Sequence, residues 1–383
     1  MDVLNELAQL KKPGQLLIAA GCFSELYREK LAESVKGIDG IIGTRRWMDI
    51  PDLVRSLRAE PRLPRYHLPD APTIGSDEKG VMRVSVQGSS AYLKIADGCR
   101  RPCAFCSIPL IKGTQVSRPM GSILRDAESM QEAGIKELIL IAQDTTDYGS
   151  DLGMKDGLVG LLENLLPRIP DIPWLRILYA YPGYVTDGLI DIMSDSRQVL
   201  PYLDIPLQHA SEKILKAMKR PANMDWVRST IGKMRKRIPA LALRTTFISG
   251  FPGETDEDYQ LLLDFIKEIE FDHLGVFPFS YEPGTSSARL GDPIPEEVKL
   301  QRVEGIMTLQ ESISLKKNQL FIGRTLDVIV EGFGDGISAG RSYRDAPEID
   351  GLVIVEGKLE TGKIVPVQIT GAMVHDLIGS PVH

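Results

Sequence analysis

The stretch KIADGCRRPCAFCSIP, residues 94–109, holds three of the chain's four cysteines, Cys99, Cys103 and Cys106. The fourth, Cys22, stands alone far upstream. The spacing is C-x3-C-x2-C, with Pro102 inside it. Proline removes a backbone donor and clashes with the preceding helical turn, so the trio belongs to a loop rather than a helix. Three readings of such a loop are open. Zinc accepts thiolates at short spacing, but a structural zinc site wants four closed ligands. A four-iron, four-sulfur cluster on three thiolates keeps one iron free for a ligand. The plainest reading is three small buried apolar side chains.

The loop sits in an ordinary globular chain. Its 383 residues are 43% hydrophobic and 25% charged, enough for two or three domains with sizeable cores. The net charge of −7 offers no general basic field for nucleic acid or an anionic bilayer. No apolar run approaches the roughly 20 residues that cross a membrane. The start, MDVLNELAQLKKPG, lacks the zones of a signal peptide. So few cysteines, most of them crowded, make no disulfide framework, and a cytoplasmic location with no membrane partner is expected.

Outward from the loop the pattern is regular. AYLKIA (91–96) precedes it, and ELILIA (137–142), WLRILYA (174–180), YLDIPL (202–207), LRTTFIS (243–249) and HLGVFPF (273–279) follow as candidate strands. Helical patterns such as SILRDAESMQEAG (122–134) and DYQLLLDFIKEIE (258–270) lie between them. The latter begins with Thr255 and Asp258 at capping-box spacing. Apolar strands alternating with amphipathic helices predict an α/β fold with a parallel sheet. Six such units predict a partial (β/α)6 barrel whose ligand site lies at the carboxyl ends of the strands. The cysteine trio follows the first strand, at that end.

GQLLIAAGC (14–22), FSELYREKLAESV (23–35) and IDGIIG (38–43) predict strand, helix and strand, a remnant of an N-terminal α/β domain over 1–60. The proline-rich and polar residues that follow predict a linker over 61–87. The barrel occupies 88–295, and a connecting helix 296–317 belongs to a longer helical pattern, 296–320. Short β segments with glycine turns then predict a small antiparallel β-barrel over 318–383.

The C-x3-C-x2-C motif after the first strand of a partial barrel resembles the radical S-adenosylmethionine (SAM) enzymes. The longer string ADGCRRPCAFCSIPLIKG resembles their methylthiotransferase branch. LILIAQDTTDYG (138–149), PLQHASEKILKAMKR (206–220), FISGFPGETDED (247–258) and GRSYRDAPEIDG (340–351) resemble the members that add a methylthio group to the β-carbon of an aspartate in small-subunit ribosomal protein S twelve. The resemblance extends from about residue 4 to the C-terminus. It implies a 4Fe-4S cluster on Cys99, Cys103 and Cys106, with SAM on the open iron. It also implies reductive SAM cleavage to a 5′-deoxyadenosyl radical and an electron donor such as flavodoxin or ferredoxin.

Further candidates follow from position. Phe105, between the last two cysteines, corresponds to a slot near the adenine of SAM, or else packs the loop. Gln143 and Asp144, after the second strand, face either the SAM amino group or the substrate, or else cap a helix. Ile248 and Gly250, after the fifth strand, resemble an adenine-contacting segment, where glycine also permits a tight turn. Arg244 lies inside an apolar strand and needs a partner, either a core ion pair or a carboxylate of SAM or substrate. Gln208 is a further cofactor-binding candidate, beside His209, which reads as a satisfied structural histidine. Arg100 and Arg101, beside Cys99, read as solvated surface charges, or else tune the potential of the cluster.

The C-terminal module resembles a TRAM domain, a class with RNA-binding members. Residues 318–383 hold five basic residues, Arg324, Arg341, Arg344, Lys358 and Lys363, against nine acids, with only Phe321, Phe333 and Tyr343 aromatic. That balance opposes direct nucleic-acid binding and suits a basic protein such as a ribosomal protein. A transfer-RNA methylthiotransferase and a non-enzymatic, metal-bearing ribosome-docking adaptor remain the alternatives. The family also carries a second 4Fe-4S cluster on three N-terminal cysteines. AAGCFSELYREKL resembles the segment around the third of these, which makes Cys22 a metal candidate. Met1 reads as falling inside a helix of that domain, so a chain with this single thiolate is expected to insert sulfur poorly.

Overall fold

The apolar runs between residues 90 and 278 become the strands of one sheet, because each can bury both faces only between neighbouring strands and covering helices. The computed structural model describes residues 2–59, 65–68 and 81–382. Among these, the sheet has seven strands. Their order is His273–Pro278, Ala242–Ser249, Val199–Asp204, Trp174–Ile177, Glu137–Ile141, Ser90–Lys94 and Val84–Gln87. The first six pair in parallel, and Val84–Gln87 adds an antiparallel edge. Helices such as Asp256–Ile269 cross between the strands. That helix starts on the expected capping box, with Thr255 and Asp258 exchanging side-chain-to-backbone hydrogen bonds. The long helix spans Glu296–Gln319. Among the described residues no helix is long and apolar enough to cross a membrane.

Three details depart from the sequence expectation. The first strand ends at Lys94, and Ala96–Asp97 instead pairs with Val116–Ser117, so the chain leaves the sheet before the cysteines. The stretch expected as a linker contains Arg65–His67 and Val84–Gln87, both strands. Val84–Gln87 is a mostly exposed edge strand and so carries no apolar alternation to announce it. Trp174–Ile177 is also shorter than WLRILYA, and Tyr179 turns at φ +63°.

The chain divides into two compact units. One comprises residues 1–82, 96–101 and 107–118, the other 83–95, 102–106 and 119–383. In the first, Ile18–Ala20, Gly40–Ile42 and Arg65–His67 form a parallel sheet. Its core is built from Leu31, Val35, Ile38 and Ile41.

In the second unit the C-terminal segment closes into a five-stranded barrel, as expected, though not a wholly antiparallel one, since Val353–Glu356 pairs in parallel with Leu377–Pro381. Its core holds Leu326, Val328, Val353, Val355, Val367, Ile369 and Leu377. The segment from Arg341 to Asp350 leaves this small barrel and packs on the strands of the large sheet. Arg341 donates to Glu137 at 2.7 Å and to Ser90 Oγ at 3.1 Å. Arg176 donates to the same carboxylate at 2.7 Å and to the Tyr343 carbonyl at 2.9 Å. Tyr202 donates to Asp350 at 2.6 Å, and His273 to the Arg344 carbonyl at 2.8 Å. Ala346 joins Ile139, Trp174, Leu200 and Tyr202 in one apolar cluster.

Burial by itself would raise the pKa of Glu137, but Arg176 and Arg341 outweigh it and bring it from 4.5 to about 2. The folded-state value lies below the unfolded one. The resulting stabilisation, on the order of 3 kcal/mol, is complete above about pH 4.5 and is lost as the pH falls toward 2. Glu137→Ala strands two buried guanidinium groups. It is expected to cost about 3–5 kcal/mol at neutral pH and to flatten the acid dependence below about pH 4.5, as measured by denaturant unfolding from pH 7 down to about pH 2.

Candidate functional site

Two glycines shape the loops that bear the motifs. Gly98 has φ +76°, and a Cβ there would meet the Thr114 carbonyl oxygen at 2.2 Å. Only glycine lets the chain turn so tightly. The turn presents Cys99, whose N–H donates to the Gly113 carbonyl at 3.1 Å. The Arg101 N–H donates to Cys99 Sγ at 3.4 Å. Arg101 is buried, not the solvated charge expected, whereas Arg100 is exposed. Gly250 has φ +79°, and a Cβ there would collide with Lys299.

The other two cysteines belong to the large-sheet unit. The Ala104 N–H donates to the Met218 carbonyl, and its own carbonyl accepts from Ser287, both at 2.8 Å. The Cys106 N–H closes a turn on the Cys103 carbonyl at 3.2 Å. Phe105 and Ile248 pack against one apolar cluster of Ala104, Ile214, Met218, Phe251 and Phe279. Gln208, at φ +75°, bridges to the fifth strand. Its N–H donates to Thr246 and its carbonyl accepts from Ile248, both at 2.8 Å. Phe105, Gln208, Ile248 and Gly250 are thus gathered at the carboxyl end of the strands.

Gln143 and Asp144 follow the second parallel strand at the same end. Thr146 donates to Asp144 at 2.5 Å. Among the described residues Gln143 Oε1 is buried without a hydrogen-bond partner. A buried acceptor left empty is costly, and an N–H donor such as the amino group of SAM would satisfy it.

Arg244 is not part of this group. It pairs with Asp204 at 2.9 Å and Asp350 at 3.3 Å. Of the two roles open to it, the structure supplies the ion pair. His209 is fully buried, accepts the Ser211 N–H on Nδ1 at 2.9 Å and faces Glu254 at 3.4 Å, a structural arrangement. Glu254 explains the ISGFPGE turn, because its carboxylate accepts from the Gly250 N–H at 2.7 Å and from Arg302 at 2.8 Å. Burial would raise its pKa, but His209, the Gly250 N–H and Arg302 together hold it below the usual carboxylate value. Cys22 is exposed at the first residue of the helix Cys22–Ser34.

Two residues at the site escaped the sequence reasoning. Arg220 Nη1 lies 3.5 Å from Cys103 Sγ, and the Tyr181 hydroxyl lies 3.8 Å from the same sulfur. The visible signals were an arginine closing KAMKR and the aromatic run YAYPGY, neither of which points to a cysteine in sequence.

Among the described residues no three His, Cys, Asp or Glu side chains are arranged to hold one metal ion. A cubane cluster makes a different demand. Each thiolate ligates its own iron, so the three sulfurs stand wider apart than three that converge on one ion. The all-thiol donor set and the empty Gln143 acceptor fit such a cluster with SAM beside it.

Comparison with known proteins agrees. Residues 93–266 match the Radical SAM superfamily model, and residues 322–382 the TRAM domain model. The structure is similar to the radical SAM methyltransferase TsrM from Kitasatospora setae, with a TM-score of 0.57 at 14% identity over 91% of this chain and 64% of that one, a likeness of fold. The chain is 44% identical to the ribosomal protein uS12 methylthiotransferase RimO of Roseiflexus sp. strain RS-1, over 100% of this chain and 85% of that protein. The RimO of Chloroflexus aurantiacus is 42% identical over 99% of this chain and 87% of its own length. For that of Symbiobacterium thermophilum the identity is 43%, over 99% and 79%. With this similarity along its whole length, the chain belongs to the RimO family of radical SAM methylthiotransferases, a class of sulfur-transferring enzymes.

Proposed function

We propose that this chain attaches a methylthio group to the β-carbon of an aspartate in ribosomal protein uS12, using SAM and a 4Fe-4S cluster on Cys99, Cys103 and Cys106. The observation that carries the reading is 44% identity to a uS12 methylthiotransferase over 100% of the chain. When bound, cluster and SAM supply a one-electron cleavage of the sulfonium and a carbon radical able to take hydrogen from an unactivated carbon. The protein's part is to hold and shield. Gln143 Oε1, buried without a partner, would accept from the SAM amino group, with Asp144 beside it. Phe105 and Ile248 give an apolar wall for the adenine, and the Gly250 turn lets the backbone approach. Gln208 keeps the Ile248 segment in place through its bridge. The enzyme works in the cytoplasm, with a flavodoxin or ferredoxin as electron donor.

The small barrel supports the choice of a basic protein substrate. Arg341 and Arg344 are buried, which leaves Arg324, Lys358 and Lys363 on its surface. Exposed Asp327, Glu331, Asp335, Glu348, Glu356 and Glu360 outnumber them. Such a surface repels a phosphate backbone and attracts a cationic protein.

Anaerobic reconstitution is expected to give about four irons per chain, the content of one cluster. One N-terminal thiolate, Cys22, is a poor anchor for a second cluster, and about eight irons would overturn that expectation. SAM and reductant should then yield 5′-deoxyadenosine, and Cys103→Ala should abolish both iron uptake and that product. Since a single N-terminal thiolate is expected to insert sulfur poorly, the substrate is tested by binding, and a chain with no measurable affinity for uS12 at low salt would overturn the substrate assignment. Glu356→Lys with Glu360→Lys should weaken uS12 binding roughly 3–10-fold at low salt, with the difference shrinking as salt screens it.

A further inference from the structure

We infer that Arg220 is a positioning residue that sets how readily the cluster accepts an electron, acting through the sulfur of Cys103. The inference rests on the reading that the cysteine trio holds that cluster.

Three observations carry it. First, the guanidinium is held in place. Nη2 donates to the Pro206 carbonyl, and the group stacks on Tyr181 with its carbon 4.2 Å from the ring centroid. Second, the two loops that bring sulfur and guanidinium together are tied to each other. The Ala104 N–H bonds the Met218 carbonyl at 2.8 Å, and the Arg220 N–H bonds the Leu215 carbonyl at 2.8 Å. The approach of Nη1 to Cys103 Sγ at 3.5 Å is therefore built into the backbone. Third, the charge is otherwise uncompensated. Among the described residues Arg220 makes no ion pair with a carboxylate, and its Nε is buried without a hydrogen-bond partner. Arginine does not lose its proton in proteins, so a permanent cation faces the Cys103 sulfur.

A charged N–H donor on a ligating sulfur favours the state with more negative charge. On a cluster that is the reduced state, and the low dielectric of a half-buried site strengthens the effect. The fork of arginine is needed because one group must reach a carbonyl and a sulfur while stacking on a ring, which a lysine ammonium cannot do. Tyr181 has the supporting role: its ring is the platform, and its hydroxyl, at 3.8 Å from the sulfur, adds a weak contact.

The test is an EPR-monitored reductive titration of the full, anaerobically reconstituted chain without SAM, beside iron and sulfide analysis and a separate measurement of SAM affinity. Arg220→Gln should keep the cluster but make it harder to reduce. At a given applied potential the reduced-to-oxidised ratio should fall about tenfold, which is about 59 mV for a one-electron couple. Arg220→Lys should lie between it and the wild type. Tyr181→Leu should shift the ratio in the same direction by less, and Tyr181→Phe very little. A wild-type ratio in Arg220→Gln overturns the inference while leaving the cluster reading intact, and so does a loss of SAM affinity with an unchanged ratio. A wild-type chain that takes up no iron and sulfide overturns the cluster reading itself. Should Arg220→Gln lose its cluster, Arg220→Lys and Tyr181→Leu decide, and a wild-type ratio in both overturns the inference.

Discussion

The buried contact of Glu137 with Arg176 and Arg341 is the constraint on which the large-sheet unit depends. A carboxylate at the first position of an inner strand would be costly alone, and so would either guanidinium. Together they satisfy one another, and Arg341 extends the pairing to the small barrel. Asp204, Arg244 and Asp350 repeat the device on neighbouring strands. A segment about 200 residues distant in sequence is fixed to the strands of the large sheet this way. Burial in such contacts also explains an acidic module with two of its five basic residues hidden: Arg341 meets Glu137 and Arg344 meets Asn318 and Asp272, and the remaining surface is strongly negative.

The motif-bearing loops gather at the carboxyl end of the strands. Short backbone bonds hold each motif there. Gly98 turns the chain into Cys99, Ala104 is pinned on both sides, and Glu254 folds back on the Gly250 turn. These devices use backbone groups and glycine because a bulky ligand needs the main chain close and immobile. The same logic accounts for Arg220, whose guanidinium is oriented by a carbonyl and a ring before any ligand arrives.

Much of the fold was legible in sequence. Six apolar runs announced six parallel strands, because a strand buried on both faces must be apolar throughout. Thr255 and Asp258 announced a helix start, because a capping box is a local motif. Val84–Gln87 was not legible, since a solvent-facing edge strand has no apolar pattern to show. In the candidate site, Phe105, Gln208 and Gly250 follow strands and Ile248 is the next-to-last residue of one, which puts them at one end whatever the details of packing. Arg244 was ambiguous because its partner Asp350 is 106 residues away. Arg101 was misjudged because burial of an arginine depends on surroundings that no local string records.

The sequence by itself determined the order of strands and helices, the loop that carries three thiols and the charge of the C-terminal module. These depend on periodicity, spacing and composition, which are local properties. Only the tertiary structure decided which polar groups meet: Arg244 with Asp350, Arg341 with Glu137, Arg220 with Cys103. A charge buried in a core takes whatever partner the fold brings within hydrogen-bond reach, and that reach is set by the packing of distant segments.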